Sequence, residues 1–160
     1  VDAISEDYGN RSRHETLFAE FIAVTDGIND TIKHLKSWMK PQRRHVDKSL
    51  YLGGKNRVIP QPLGVLGLIV PWNFPINLVF GPLVSAVAAG NCVIIKPSEL
   101  TPHASAVTKR IVEEVFDESE VAVIEGGVET STSLLALPFD HIFFTGSPAS
   151  DLCTGLEMMQ

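Results

Sequence analysis

The longest apolar stretch of the chain covers residues 58–95, and none of these 38 residues is Asp, Glu, Lys, Arg or His. A stretch of this length is either a membrane span or the interior of a folded domain. Five prolines interrupt it, at positions 60, 62, 71, 75 and 82, and Asn73 places a polar amide near its middle. Because each proline removes a backbone donor and clashes with the preceding turn, no helix of roughly 20 apolar residues fits between them. The pattern predicts the interior of a soluble domain, and membrane binding is not expected.

The first third of the chain has the periodicity of an amphipathic helix or helix pair. Apolar residues recur at steps of three and four, which places them on one face, and they are Leu17, Phe21, Val24, Ile28, Ile32, Leu35 and Trp38. Gly27 is a candidate joint, Pro41 ends the pattern, and Glu20 is assigned to the polar side. The end of this segment is basic, which suits a membrane surface or an acidic partner. Cations near a helix C-terminus also complement the helix dipole, and we favour this second interpretation.

The pattern changes to strands after residue 48. Residues 49–52 and 56–59, around Gly53-Gly54, predict the two strands of a hairpin arm. Four short apolar strands then alternate with helices: strands at 65–70, 92–95, 121–124 and 141–144, and helices at 76–89, 102–117 and 131–136. Thr101 is the predicted N-cap of the second helix, with Pro102 at its first position. Apolar strands alternating with helices indicate an α/β fold with a Rossmann-like parallel sheet and helices on both faces.

Composition narrows the function classes. The 160 residues are 44% hydrophobic and 20% charged, as expected of one domain, and the net charge of −6 gives no attraction to nucleic acid. Cys92 and Cys153 form no CxxC pair and are too few for a disulfide framework, which favours a reducing, cytoplasmic location. The five histidines lack ligand spacing, so no metal site is predicted.

Informative residues follow each predicted strand, where parallel sheets bind their ligands. Pro71-Trp72-Asn73-Phe74-Pro75, Lys96-Pro97-Ser98-Glu99, Glu125-Gly126-Gly127 and Thr145-Gly146-Ser147 come after the four strands in turn. Lys96 and Glu99 suit a ribose diol, since lysine donates and glutamate accepts, and Gly146 with Ser147 allows close approach to a phosphate. Together they predict a nucleotide site, although no GxGxxG or Walker sequence is present. Taken singly, each has a structural interpretation: Asn73 as a helix cap, Gly146-Ser147 as a turn.

The motifs also resemble a known family in their order and spacing. Gln61-Pro62-Leu63-Gly64-Val65, Pro71 to Pro75, Ala88-Ala89-Gly90-Asn91, Lys96 to Pro102 and Phe144 to Ser147 resemble the N-terminal half of the NAD(P)-dependent aldehyde dehydrogenase superfamily, over about residues 1–149. Tyr8 to Ser12, Glu15-Thr16 and Lys36 to Pro41 resemble the branch of coniferyl aldehyde dehydrogenases and class 3 enzymes for fatty and aromatic aldehydes.

This resemblance implies a chemistry and a role for each site residue. In the family a cysteine thiolate attacks the aldehyde, hydride passes to the nicotinamide, and hydrolysis releases a carboxylic acid. Asn73 is the implied oxyanion-hole amide, while Pro71 and Trp72 line the cofactor channel. The other implied cofactor contacts are Lys96 and Glu99 at the adenosine ribose, and Gly127, Gly146 and Ser147 along the adenine and pyrophosphate. Glu99 should repel a 2′-phosphate and favour NAD, with NADP accepted as an alternative.

The chain also departs from the family pattern. Asp151 stands where the family has a glycine, and residues 151–160 do not resemble it. The family's general-base glutamate and cysteine nucleophile do not occur in the 160 residues, and Cys92 is expected to be a buried, inert thiol. We therefore expect a partial cofactor-binding domain at 1–150, an anomalous tail at 151–160 and an absent catalytic domain. The parent would be a homo-oligomeric aldehyde oxidoreductase and this chain alone inactive; the alternative is a non-catalytic nucleotide-binding or assembly module.

Overall fold

The computed structural model describes residues 1–146, and it begins with a helical segment. Helix α1 covers Asp2–Asp7, α2 Arg13–Thr16, a π-helical turn Leu17–Ile22, and α3 Ala23–Trp38. The last three follow one another directly, so Gly27 lies inside α3 and is not a joint. The chain turns instead before α2, where Gly9 and Asn10 have φ angles of 62° and 98°. Helix α1 was missed because six residues are too few to show a helical period.

The predicted apolar face of this segment is only partly covered. Val24 is buried, whereas Leu17, Ile32 and Trp38 are exposed. The segment packs on the first helix of the sheet domain, described below. Among the helices of the described part, none has the length and apolar content needed to cross a membrane.

The hairpin arm is present, but one of its strands was misplaced. Strand β1 covers Gln42–Arg44 and pairs antiparallel with β2, Asn56–Val58. Residues 49–52, predicted as a strand, form a turn. The reason is Asp47, whose carboxylate accepts hydrogen bonds from the backbone N–H and the hydroxyl of Ser49 at 2.9 and 2.5 Å. Such a side-chain turn competes with strand pairing and takes these residues out of the ladder.

The centre of the molecule is a four-stranded parallel sheet in the order β5-β4-β3-β6. The strands are β3 (Val65–Ile69), β4 (Cys92–Lys96), β5 (Val121–Val123) and β6 (His141–Phe144), and the helices that connect them are α4 (Asn77–Ala88), α5 (Pro102–Val115) and α6 (Val128–Leu135). Each strand matches its prediction to within one residue. Right-handed crossovers with this order place α4 and α5 on one face and α6 on the other, which confirms the predicted Rossmann-like α/β class.

The core fills the face below α4 and α5. Its buried side chains come from β3, β4, β5 and both helices: Leu68, Val70, Val79, Leu83, Val93, Ile95, Val112, Val121 and Val123. Removing each from water contributes roughly 1.5–3 kcal/mol, which explains the absence of charge from the buried parts of residues 66–95. The predicted interior is therefore found only in part of the apolar run, because residues 58–63 are exposed and residue 58 belongs to the hairpin arm.

Two polar side chains fix the start of β3. Asn91 Oδ1 accepts hydrogen bonds from the N–H groups of Leu63 and Gly64 at 2.7 and 3.0 Å, and Asp140 Oδ2 accepts from Val65 N at 2.8 Å. At Gly64, φ is 136° and a Cβ atom would lie 2.1 Å from the Asp140 carboxylate, so only glycine fits. These contacts set the register of β3 and the position of the loop that follows it.

Candidate functional site

The carboxyl ends of β3, β4 and β6 meet at one edge of the sheet, where the strand order reverses. Such a switch point is the usual ligand site of an open α/β sheet. A cleft of about 260 Å³ opens there. The predicted site residues that line it are Pro71, Trp72, Lys96, Glu99 and Gly146. The structure thus brings together residues that the sequence places on three separate strands.

A lysine and a carboxylate form an ion pair at this cleft. Lys96 Nζ lies 2.7 Å from Glu99 Oε2; the lysine side chain is 5% exposed and the glutamate 42%. The hydrogen bond from Lys96 lowers the pKa of Glu99 below its ordinary value, and partial desolvation opposes this effect. Glu99 is therefore ionised at neutral pH, and the pair presents a cation and an anion side by side to the cleft.

Local hydrogen bonds hold the segment that carries this pair. Ser98 Oγ accepts from Leu100 N at 3.2 Å, and the Ser105 hydroxyl donates to the Ser98 carbonyl at 3.0 Å. Thr101 is the N-cap residue of α5, as predicted, but its hydroxyl makes no capping bond. Asp7 caps α5 instead, accepting from the backbone N–H groups of His103 and Ala104 at 3.1 and 2.8 Å. This cap was not predicted, because Asp7 lies on α1, far away in the sequence.

Asn73 lies in the loop of residues 71–76 between β3 and α4, which we call the Asn73 loop. Asn73 is exposed, and its side chain does not cap α4, which begins four residues later. The helix-cap interpretation is therefore wrong. The N-terminus of α4 is bound by Glu20, whose Oε2 atom accepts from Ile76 N at 3.1 Å and from Asn77 N at 2.8 Å. Glu20 is fully buried, which corrects its assignment to the polar side of the helix.

Arg11 forms a buried ion pair with Glu20 beneath this loop. Its Nη1 atom lies 3.0 Å from Glu20 Oε1 and 3.4 Å from the Asn73 carbonyl oxygen. The guanidinium also lies over two rings, 4.9 Å from the centre of Tyr8 and 5.2 Å from that of Phe74. The Tyr8 hydroxyl donates to the carbonyl oxygen of Trp72. Desolvation, the largest influence, raises the pKa of Tyr8.

The sequence did contain one signal for this cluster. Thr16, Glu20 and Val24 are spaced at four residues, and all three are buried. A carboxylate between two residues of a buried stripe needs a cation and several donors, because an unpaired buried charge is very costly. The apolar period alone did not reveal it.

The remaining predicted site residues lie apart from the cleft or outside the described residues. Gly127 is the N-cap residue of α6, next to Val128 in the cleft wall. Ser147, Cys153 and the tail 151–160 lie outside the described residues. Cys92 is exposed at the amino end of β4, which contradicts the expected buried thiol. Its thiol lies at the amino-terminal edge of the sheet, where no described residue covers it. No group of three potential metal-binding side chains occurs within residues 1–146.

Comparison with known proteins gives a consistent result. Residues 12–151 match the Aldehyde dehydrogenase family. The chain is 45% identical over 149 residues to coniferyl aldehyde dehydrogenase of Pseudomonas sp., covering 93% of this chain and 30% of that protein. It is 39% identical over 148 residues to mouse aldehyde dehydrogenase family 3 member B2, covering 92% of this chain and 30% of the relative.

Solved structures agree with these relatives. The substrate-bound AldH of Staphylococcus aureus matches with a TM-score of 0.91 and 37% identity, over 98% of this chain and 34% of that one. The aldehyde dehydrogenase of Mycobacterium tuberculosis complexed with NAD+ matches with a TM-score of 0.70 and 27% identity, over 88% of this chain and 28% of that one. The chain thus spans about a third of the length of the proteins it matches.

Proposed function

Because the chain belongs to the aldehyde dehydrogenase family, we propose that it is the cofactor-binding part of an enzyme that oxidises an aldehyde to a carboxylic acid with NAD(P). The observation that carries the proposal is the arrangement at the sheet edge. Trp72, Lys96 and Glu99 line one cleft, and Asn73 directly follows Trp72. The similarity to a coniferyl aldehyde dehydrogenase favours an aromatic aldehyde as the substrate. We also propose a homo-oligomeric parent and a reducing, cytoplasmic location, the latter because Cys92 and Cys153 form no CxxC pair.

The donors and acceptors at the cleft fit the ribose of a dinucleotide. Lys96 gives one of its three N–H groups to Glu99, which leaves two donors, and Glu99 retains one carboxylate oxygen as an acceptor. A ribose diol both donates and accepts, so it matches this pair. The negative charge of Glu99 disfavours a 2′-phosphate and so favours NAD. Gly146, with Ser147 next to it, would leave room for the pyrophosphate.

Asn73 is the residue we assign to catalysis. Its amide would donate a hydrogen bond to the aldehyde oxygen, which becomes negative when a thiolate adds to the carbonyl carbon. Such a donor stabilises the transition state more than the substrate, so it raises kcat. When bound, the nicotinamide supplies the hydride acceptor for this oxidation.

The position of Cys92 does not suit it to the role of nucleophile. It begins β4, whereas Asn73 follows the end of β3, and the two strands are parallel. A five-residue strand is about 16 Å long, so the thiol and the amide lie at opposite edges of the sheet. We therefore propose that the cysteine nucleophile and the general base come from sequence beyond the described residues.

Replacing Asn73 with alanine in the complete enzyme tests the proposal. Asn73→Ala should lower kcat by roughly 10²-fold or more, since one oxyanion donor is lost, while the affinity for NAD stays close to that of the wild type. NADH formation and a fluorescence titration of the cofactor measure the two quantities. Asn29→Ala on α3 and Cys92→Ala are controls that should keep kcat. If chemistry limits the rate and Asn73→Ala leaves kcat unchanged, Asn73 is not the oxyanion donor. A complete protein that forms no NADH with any aldehyde is better described as a nucleotide-binding or assembly module.

A further inference from the structure

We propose that Arg11, Glu20 and Tyr8 are positioning residues that hold the Asn73 loop in the geometry required by the proposed reaction. This inference rests on the proposed function and adds to it a set of residues that do not line the cleft. All three belong to the N-terminal helical segment, whereas the loop lies more than 50 residues later in the chain.

The contacts cover the loop almost residue by residue. The carbonyl oxygens of Trp72 and Asn73 accept hydrogen bonds from Tyr8 and Arg11, and the next side chain, Phe74, lies against the Arg11 guanidinium. The Glu20 carboxylate then binds the N–H groups of the next helix start, Ile76 and Asn77. Five of the six residues from 72 to 77 are therefore held from one side.

Glu20 and Arg11 act as a unit beneath the loop. Both oxygens of the fully buried Glu20 carboxylate are used, one by Arg11 and the other by the loop's last backbone donors. The Arg11 side chain is only 5% exposed. The Asn73 backbone bonds to the same Nη1 atom that bonds to Glu20. A shift of either side chain would move the backbone from which the Asn73 amide projects.

The charges of Arg11 and Glu20 suggest that these side chains orient the Asn73 loop. A helix start is adequately capped by a local Ser, Thr or Asp, and a buried ion pair often adds no net stability over apolar side chains of the same volume. In this pair both Glu20 oxygens and the Nη1 and Nη2 atoms of Arg11 have partners, whereas the buried Arg11 Nε has none within the described residues. So many directed contacts restrict the position of the guanidinium and of the loop backbone above it. An oxyanion donor needs this kind of fixed position, because a displacement of about 1 Å can reduce a rate 10²-fold.

A double-mutant cycle on kcat in the complete enzyme tests the proposal. Arg11→Met should lower kcat roughly 10- to 10²-fold, with the KM for NAD little changed, and Arg11→Lys should restore part of the loss. In an Asn73→Ala background the same Arg11→Met change should cost almost nothing, because the amide it positions is already absent. Arg13→Met, an exposed arginine two residues away, is the matched control and should keep kcat.

The cycle separates this inference from the proposed function. If Asn73→Ala lowers kcat strongly and Arg11→Met lowers kcat by the same factor in the Asn73→Ala background as in the wild type, the positioning role is overturned. The proposed function is then left intact. An Asn73→Ala variant with normal kcat overturns the catalytic role of Asn73 and with it the positioning role. A complete protein that forms no NADH with any aldehyde overturns the proposed function itself. If Arg11→Met fails to fold, Tyr8→Phe takes its place in the cycle, since it removes a single hydroxyl.

Fluorescence of Trp72 gives a readout independent of turnover. Replacing Trp38, and every tryptophan of the complete enzyme outside these 160 residues, with phenylalanine leaves Trp72 as the only emitting tryptophan, and it lies within the loop. Tyr8→Phe and Arg11→Met should raise its acrylamide quenching, while Arg13→Met should not. Quenching and kcat that both remain at wild-type values in Tyr8→Phe and Arg11→Met would overturn the proposal.

Discussion

Two loops meet at the carboxyl edge of the sheet, and different kinds of contact hold them. The segment after β4 is held from within: Lys96 pairs with Glu99 three residues on, and Ser98 bonds to Leu100 and Ser105. The Asn73 loop after β3 is held from outside, by side chains 56 to 64 residues earlier in the chain. One loop therefore carries its own support, whereas the other depends on the docking of the N-terminal helices.

The burial of the charges differs in the same way. The two cations, Lys96 and Arg11, are both 5% exposed, so the difference lies in the carboxylates. Glu99 is partly exposed, so solvent screens its attraction to Lys96, and such pairs typically contribute little stability. Glu20 is fully buried, so the loss of a partner leaves an uncompensated charge in the interior. Substitutions of Arg11 or Glu20 should therefore affect both stability and activity. Substitutions in the segment of residues 96–99 should affect mainly the affinity for the ligand.

The largest expected effect is on stability, at Glu20. Glu20→Ala leaves Arg11 and two N–H groups of α4 without their acceptor, and it should lower the free energy of unfolding of the complete enzyme by roughly 3–5 kcal/mol. Urea unfolding followed by circular dichroism measures this loss.

Glu15 provides a matched control on the same arginine. Its carboxylate lies 3.4 Å from Arg11 Nη2 but is 58% exposed. Glu15→Ala should therefore cost only about 0.2–1 kcal/mol. Equal losses of stability in Glu15→Ala and Glu20→Ala would mean that the burial of Glu20 does not make its ion pair with Arg11 more important for stability.

A smaller effect is expected at Asp7, which links the N-terminal segment to the other loop. Asp7→Ala removes the acceptor for two N–H groups at the start of α5 and should cost about 1–2 kcal/mol, as for other lost N-caps. Substitution of the exposed Asp2 on the same helix is the control. Unchanged stability in Asp7→Ala would show that Thr101 or solvent can replace this cap.

The same contact gives a pH dependence. The hydrogen bond to Asp7 raises the pKa of His103 above 6.5, with desolvation opposing it. The imidazolium form is thus favoured in the folded state, so this contribution is complete below pH 6.5 and disappears as the pH rises through the raised pKa. Titration of His103 by NMR should show its pKa falling towards the ordinary value in Asp7→Ala.

The difference between the loops also explains which features the sequence could predict. The strand positions of the parallel sheet and the fold class follow from the apolar runs, and the family resemblance is confirmed. The general rule for parallel sheets also predicts the ligand-binding edge, which stays a prediction. Lys96 and Glu99 were found as a pair because their partners are three residues apart.

The failures have a physical reason in common. Arg11, Asp7 and Glu20 contact backbone groups that lie 56 to 97 residues later in the sequence, and no spacing rule connects such positions. The hairpin strand was misplaced because the side chain of Asp47 competes with pairing, a local event that the apolar pattern does not record. The role of Asn73 is predicted from the family resemblance and stays a prediction, whereas the residues that contact its loop were not predicted.

The smallest expected effect is on the choice of cofactor, and it tests whether the Lys96 segment acts on the ligand alone. In Glu99→Gln the like-charge repulsion against a 2′-phosphate is removed, so the ratio of kcat/KM for NADP to that for NAD should rise. A partly exposed charge a few ångströms from the phosphate is worth about 1 kcal/mol, or roughly 5-fold. Because Glu99 has a lowered pKa, the difference should persist down to about pH 4.5, the ordinary value for glutamate, and vanish only as the pH falls through the lowered pKa.

Glu125 is the matched control for this variant, because it follows the neighbouring strand β5, is 41% exposed and lies 3.8 Å from Lys109. Glu125→Gln should leave the cofactor ratio unchanged. Since the Debye length is about 10 Å at 0.1 M salt, the Glu99 effect should shrink as salt is added, and both variants should be compared at low and moderate ionic strength. A ratio that Glu99→Gln does not alter at low salt would remove residues 96–99 from the ribose site and leave them as a strand-to-helix connection. Only the Asn73 loop would then act on the ligand, and specificity for NAD would have to arise elsewhere in the enzyme.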